Sequence, residues 1–338
     1  MNKLLWALCG MMIVSSPTFA QDQGNISGYM FGDYYYVVAN HNKDIEDANG
    51  FWMRRIYLTY DKGLSEQFSM RVRMEMSNPG DFTSTSKMTP VVKDSYLKWT
   101  KGLNSIVLGI SPTPTWDFIE HFWGYRSVEK TPLDLQKFGS SRDFGIAFKG
   151  HFDVEKRFGY HSMLANGSSN GTENNDGKKV MLSLSAKTDA GFVVEGYADY
   201  EDRSGDNNRY TLQGFAGYKT RTARVGAQFS HQNRQVPGAG DLNLEISSLF
   251  GAAKLTDKVW GFARVDRQFD ANPDGAKISY IPFDNSAKST LLVGGVDLRP
   301  AKDVHLMPNV EAVIYDKNDA GFTPDTDVIP RFSFYYKF

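Results

Sequence analysis

The chain has 338 residues, a formal net charge of −1, 14% aromatic residues, 31 Gly and a single cysteine. A near-neutral balance gives no sign of nucleic-acid binding, and the lone Cys9 excludes a disulfide framework or a Cys metal site. Mean hydropathy is −0.42, and no stretch after the first 20 residues approaches the ~18 continuous apolar residues of a membrane helix.

The first element is a leader. Met1 to Ala20 carries a basic start at Lys3, an apolar run from Leu4 to Val14, and Thr18 and Ala20 before an expected cut. That layout is a secretory signal peptide, too short in its apolar part to span a bilayer. The exported chain, residues 21–338, is expected to form one domain. It holds alternating runs separated by turn-rich gaps. Strands are predicted at 26–40, 50–62, 66–78, 91–101, 104–113, 142–152, 156–166, 177–188, 191–201, 208–219, 222–233, 243–255, 258–269, 288–299, 303–315 and 327–338.

Their two faces differ. Phe68, Met70, Val72, Met74 and Met76 alternate with Ser69, Arg71, Arg73, Glu75 and Ser77. Two runs break the rule: Arg54 falls on the apolar face, which suggests a rim position, and the 246–255 run switches phase near Leu249, which suggests a bulge. Gaps alternate between short, such as Gly102-Leu103, and long and polar, such as 167–176 and 270–287. Short turns on one rim and long loops on the other mark a transmembrane barrel, whose closure removes the exposed edges of an open sheet.

One gap is different. Residues 114–141 hold Trp116, Phe118, Phe122, Trp123 and Tyr125, with Asp117, Glu120, Glu129 and Asp134 against Arg126, Lys130 and Lys137, and lead to Arg142. A loop so long and aromatic packs against something. Folded inward it would constrict the lumen of a barrel this wide; folded outward it would meet a neighbouring subunit or lipopolysaccharide. The last strand places Phe332, Phe334, Tyr336 and Phe338 on one face. It resembles the terminal signature that the barrel-assembly machinery reads in outer-membrane barrels.

The facing pattern assigns Arg71, Arg73, Lys98, Lys149, Lys179, Lys187, Arg209, Lys219, Arg224, Arg264, Arg299 and Arg331 to the lumen, with Glu75, Asp94, Glu195, Asp199, Asp266, Asp297 and Glu311. Excess positive charge favours weak anion preference through local potential; cross-strand pairing would cancel it. Loop aromatics could instead stack sugars. An enzyme reading finds no HExxH, no GxSxG elbow and scattered histidines. A scaffold barrel would need a haem-bearing partner. No cofactor or metal is expected.

Arg54-Arg55-Ile56-Tyr57-Leu58, Lys93-Asp94-Ser95-Tyr96-Leu97, Leu108-Gly109-Ile110-Ser111-Pro112, Arg126-Ser127-Val128-Glu129-Lys130 and Ser141-Arg142-Asp143-Phe144-Gly145-Ile146 resemble bacterial porins of the phosphate-selective O and P family. The resemblance covers roughly residues 50–150. It implies a homotrimeric 16-strand pore in the outer membrane with the third loop folded into the lumen. It also implies phosphate selectivity through an arginine ladder and a lysine cluster. The 114–141 gap has no such lysine cluster. Small hydrophilic solutes or anions are the expected cargo.

Overall fold

The computed structural model describes residues 24–338 apart from residue 206; the expected signal peptide lies outside the described residues. All sixteen expected strands are present. They are β1 (Asn25–Tyr36), β2 (Asn49–Gly63), β3 (Phe68–Ser77), β4 (Thr89–Lys101), β5 (Asn104–Pro112), β6 (Arg142–His151), β7 (Phe158–Ala165) and β8 (Lys179–Lys187). There follow β9 (Phe192–Glu201), β10 (Arg209–Lys219), β11 (Ala223–Arg234), β12 (Leu242–Thr256), β13 (Val259–Gln268), β14 (Ser289–Ala301), β15 (Val304–Tyr315) and β16 (Asp327–Lys337). Each pairs antiparallel with its sequence neighbour, and β1 closes on β16 through the register Tyr29↔Lys337 to Tyr35↔Arg331. The Gly28 N–H donates to the Phe338 carbonyl at 2.9 Å, so both ends meet on the short-turn rim.

The wall has a dry outside and a polar inside. On β9 and β10, Val194, Tyr200 and Leu212 point outward and are half exposed, while Glu195, Asp199, Thr211 and Gln213 are buried within. Outward Leu, Val and Phe side chains suit hydrocarbon, and the closed ladder satisfies every backbone group that lipid cannot. Phe332, Phe334, Tyr336 and Phe338 share the outer face, as the terminal pattern suggested.

The two irregular runs resolve differently from expectation. Arg54 is not at a rim. The β1–β2 register slips between Phe31↔Arg55 and Gly32↔Met53, so Arg54 is the extra residue of a bulge that turns it inward. It is 2% exposed and donates to Asp33 at 3.3 Å and to the Val128 carbonyl at 2.8 Å. A second bulge on β4 skips Lys93, between Arg73↔Asp94 and Met74↔Val92. Each bulge puts two consecutive charged residues on the inside, and Glu75 between them forms ion pairs with Arg55 at 3.1 Å and Lys93 at 3.0 Å.

Conversely, β12 has no bulge near Leu249. Its pairing with β11 and β13 runs unbroken there, and the register shifts only between Lys254 and Thr256. Leu244, Ile246, Phe250 and Ala252 all point inward and are buried. The apparent change of phase came from apolar residues inside the barrel, which pack on the segment described below.

Close backbone approach sets one glycine. Gly109 sits at φ +129°, and a Cβ there would lie 2.2 Å from the Ser95 carbonyl. Gly109→Val is expected to prevent β4–β5 pairing and abolish the heat-modifiable band of the assembled barrel on a gel; a normal band would contradict this close approach.

Candidate functional site

Residues 113–141 leave the wall and return to it through a neck in which the Thr113 N–H donates to the Ser141 carbonyl at 3.2 Å. Between lie helix α1 (Trp116–Trp123) and a short turn of helix, α2 (Pro132–Leu135). Helix α1 is amphipathic: Trp116, Ile119, Phe122 and Trp123 are buried, three or four residues apart, leaving Asp117, Glu120 and His121 on the other side. It stops at Gly124, φ +71°, whose N–H donates to the Glu120 carbonyl at 2.8 Å.

The buried side meets the apolar inner wall. Trp116 lies edge-on to Tyr197, Phe122 to Phe215 and Trp123 to Phe250, and Tyr125 stacks on Phe262 at 4.3 Å. Polar ties fix the rest. Gln213 donates to the Thr115 hydroxyl, Gln232 to the Phe138 carbonyl at 2.5 Å, and Arg264 to the Lys130 carbonyl. The 114–141 gap therefore packs against the inner face of the wall.

A second segment does the same, although the sequence marks it only as a long polar loop. In residues 269–288, Ile278, Tyr280, Ile281 and Phe283 are buried. The Tyr280 hydroxyl donates to Glu129 at 3.1 Å, Asn272 to the Gln136 carbonyl at 2.9 Å, and Lys137 to the Lys277 carbonyl at 2.8 Å. Arg331 donates to the Tyr280 carbonyl. The two segments are thus latched to each other and to β16.

On the short-turn side of α1 a cavity of about 450 Å³ remains, bordered by Arg71, Arg73, Arg126, Arg142, Arg224 and Arg299 and by three acids, Asp117, Glu120 and Asp297. Most of these arginines are paired. Arg71 forks onto Asp61 at 2.7 and 2.9 Å, Arg73 meets Asp94 at 3.3 Å, and Arg142 meets Asp94 at 2.5 Å and Asp117 at 2.9 Å. Arg126 pairs with Glu120 at 3.3 Å and Arg299 with Asp297 at 2.8 Å. Among the described residues Arg224 has no acidic partner; its guanidinium lies over the Tyr125 ring at 4.9 Å and against Gly124. With Asp134, 3.9 Å from Arg126 and shared with Lys130, six carboxylates thus face six arginines and one lysine, and one positive charge is left over at the cavity wall.

Burial raises the Glu120 carboxyl above its usual range, with Arg126 opposing. Burial also works against the Asp134 charge, but Lys130 and Arg126 outweigh it and hold that carboxyl low.

Of the residues singled out by sequence, Arg71, Arg73 and Arg224 border this cavity together with Asp117, Glu120, Arg126 and Arg142. Asp94 is buried between Arg73 and Arg142, and Glu75 is buried between the two bulges. Lys179 pairs with Asp199 at 3.0 Å and Glu201 at 3.4 Å, and Arg209 also holds Glu201, all toward the long-loop rim. Arg264 faces inward but is buried against Asp266. Trp116 and Glu129 are buried, and Lys130 lies 3.7 Å from Asp134. Lys98 and Lys149 have no ion pair among the described residues; Lys149 borders a separate cavity. Sequence reading missed Arg54, Arg55, Lys93 and Tyr280; the interrupted alternation was the signal for the first three.

No family model and no curated protein sequence matches the chain. Its fold is similar to solved structures. An anion-selective porin from Comamonas acidovorans matches with TM-score 0.70 at 11% identity, over 94% of this chain and 100% of that one. OmpF of Salmonella typhi, in complex with daunomycin, matches with TM-score 0.67 at 11% identity, over 94% and 98%. The outer-membrane channel DcaP of Acinetobacter baumannii matches with TM-score 0.66 at 13% identity, over 95% and 99%. At these identities the likeness is one of architecture: the chain has the general porin fold.

Proposed function

We propose that the chain is a water-filled pore of the bacterial outer membrane through which small hydrophilic solutes diffuse passively, with a weak preference for anions. The observation that carries this is the arginine-bordered cavity inside a closed barrel whose outer face is apolar. A cavity wall with one uncompensated positive charge raises the local concentration of anions without binding them tightly. The porin-like relatives, one of them named anion-selective, support the same reading. Export with loss of residues 1–20, insertion by the barrel-assembly machinery, contact with lipopolysaccharide and assembly as a homotrimer belong to this proposal.

The test is the reversal potential of purified protein in a planar bilayer across a potassium chloride gradient. Chloride is expected to be the more permeant ion, by a small factor that shrinks at high salt as charges are screened. A cation preference, or the absence of channels, would overturn the proposal.

Phosphate selectivity is a second reading, supported by the family resemblance and by the arginines along the cavity. Under it, millimolar phosphate would block the chloride current. No block would leave a general pore.

A further inference from the structure

We propose that a second cavity in the barrel is a subsite for a small zwitterion, a molecule of free-amino-acid type with one ammonium and one carboxylate. The inference rests on reading the barrel as a solute channel. This cavity holds about 370 Å³ and shares only Asp117 with the arginine-bordered one. Its walls come from β5 to β9 and from Thr115 and Phe118 of the inward segment.

Two ionisable groups of opposite sign border it without ionic partners. Glu195 on β9 is 4% exposed, and it accepts hydrogen bonds from the Ser183 hydroxyl at 2.5 Å and the Thr115 hydroxyl at 2.7 Å. Gln213 donates to Thr115 from behind, which directs the Thr115 proton toward Glu195. Among the described residues no cationic nitrogen comes within 4.0 Å of this carboxylate. Two neutral donors offset only part of the cost of burying a charge. Lys149 on β6 has no acid within 4.0 Å either, and Asp117, the other acid at this cavity, is held by Arg142 at 2.9 Å.

In the wall, Lys149 stands opposite Ser105 and His161, and Ser185 stands opposite Glu195. His161 Nε2 is buried without a hydrogen-bond partner. Lys149 and Glu195 are three strand steps apart and two residues out of register, roughly 16 Å at the backbone. Both residues border the cavity, so a small molecule with a charge at each end can lie between them. A plain anion would meet Glu195, a plain cation would meet Lys149, and a neutral solute would leave both unpaired. A zwitterion satisfies both, its ammonium on Glu195 and its carboxylate on Lys149.

The experiment is uptake into proteoliposomes of labelled L-alanine, with lactamide as a neutral solute of similar size. L-Alanine uptake by the wild-type protein is expected to saturate with concentration while lactamide uptake rises linearly. E195Q and K149M, each checked for folding by heat-modifiable migration, are each expected to reduce the preference for L-alanine about tenfold, the loss of one charged hydrogen bond. Linear L-alanine uptake alongside measurable lactamide uptake would overturn the subsite alone, and needs no variant to observe. An unchanged preference in both variants would overturn it too. Uptake of neither solute above protein-free liposomes would overturn the channel reading, and the subsite with it.

Discussion

Arg331→Met is expected to destabilise the folded barrel by about 3–5 kcal/mol, because it strands buried acids. Arg331 is fully enclosed, bonded to Asp33 at 3.3 Å, to Glu311 at 3.1 Å and to the Tyr280 carbonyl. Asp33 and Glu311 are themselves unexposed, and Arg54 already shares Asp33 at 3.3 Å. Methionine fills the space but leaves Glu311 with no cation in contact. The same change cuts the tie between the 269–288 segment and β16. Denaturant unfolding in detergent micelles, followed by tryptophan emission, measures the loss. Arg331→Lys, which keeps the charge without the guanidinium fork, should fall between the two. A midpoint equal to wild type would mean that this cluster is wet and weakly coupled.

Arg224→Glu is expected to reverse or nearly abolish the anion preference. In water, a unit charge about 6 Å from a passing ion is worth ~0.7 kcal/mol, and reversing its sign shifts chloride and potassium by ~1.4 kcal/mol each in opposite directions, roughly tenfold per ion and up to about a hundredfold in the chloride-to-potassium ratio before screening. Arg224 is the choice because it is the cavity arginine without a carboxylate, so its charge is not cancelled locally. Arg299→Gln, which uncovers Asp297, should move the ratio about half as far on the energy scale, since it changes the charge by one unit rather than two. The reversal potential in a dilute salt gradient reads both. At 1 M salt the Debye length is about 3 Å and the difference should largely vanish. An R224E channel with the wild-type ratio would place the selectivity elsewhere.

Much of the architecture was legible because it rests on a local rule. The period of two in Phe68–Ser77 or Val180–Lys187 is written residue by residue, and so is the alternation of short turns with long polar loops. Where the sequence misled, a non-local contact had replaced the rule. Leu244, Ile246 and Phe250 look lipid-facing by type, yet face inward because aromatic residues of the 113–141 segment cover part of that wall. Arg54 and Lys93 broke the alternation because bulges moved them inward, where Asp33 and Glu75 receive them. Cavity arginines such as Arg71 and Arg73 followed from phase alone. That Arg71 is neutralised by Asp61, while Arg224 is not, depends on neighbours across strands and could not be read along the chain.

Alternate residues of the wall face outward and inward, to lipid and to water under the proposed function. Cysteine substitution at positions 69 to 74 on β3, with membrane-impermeant thiol labelling of the barrel in intact outer membranes, reads this facing residue by residue. The only native cysteine is Cys9, so labelling in a Cys9→Ser background reports the substituted site. Cysteines at 69, 71 and 73 should label, and those at 70, 72 and 74 should not. Equal labelling at all six positions, or labelling confined to 70, 72 and 74, would contradict the account.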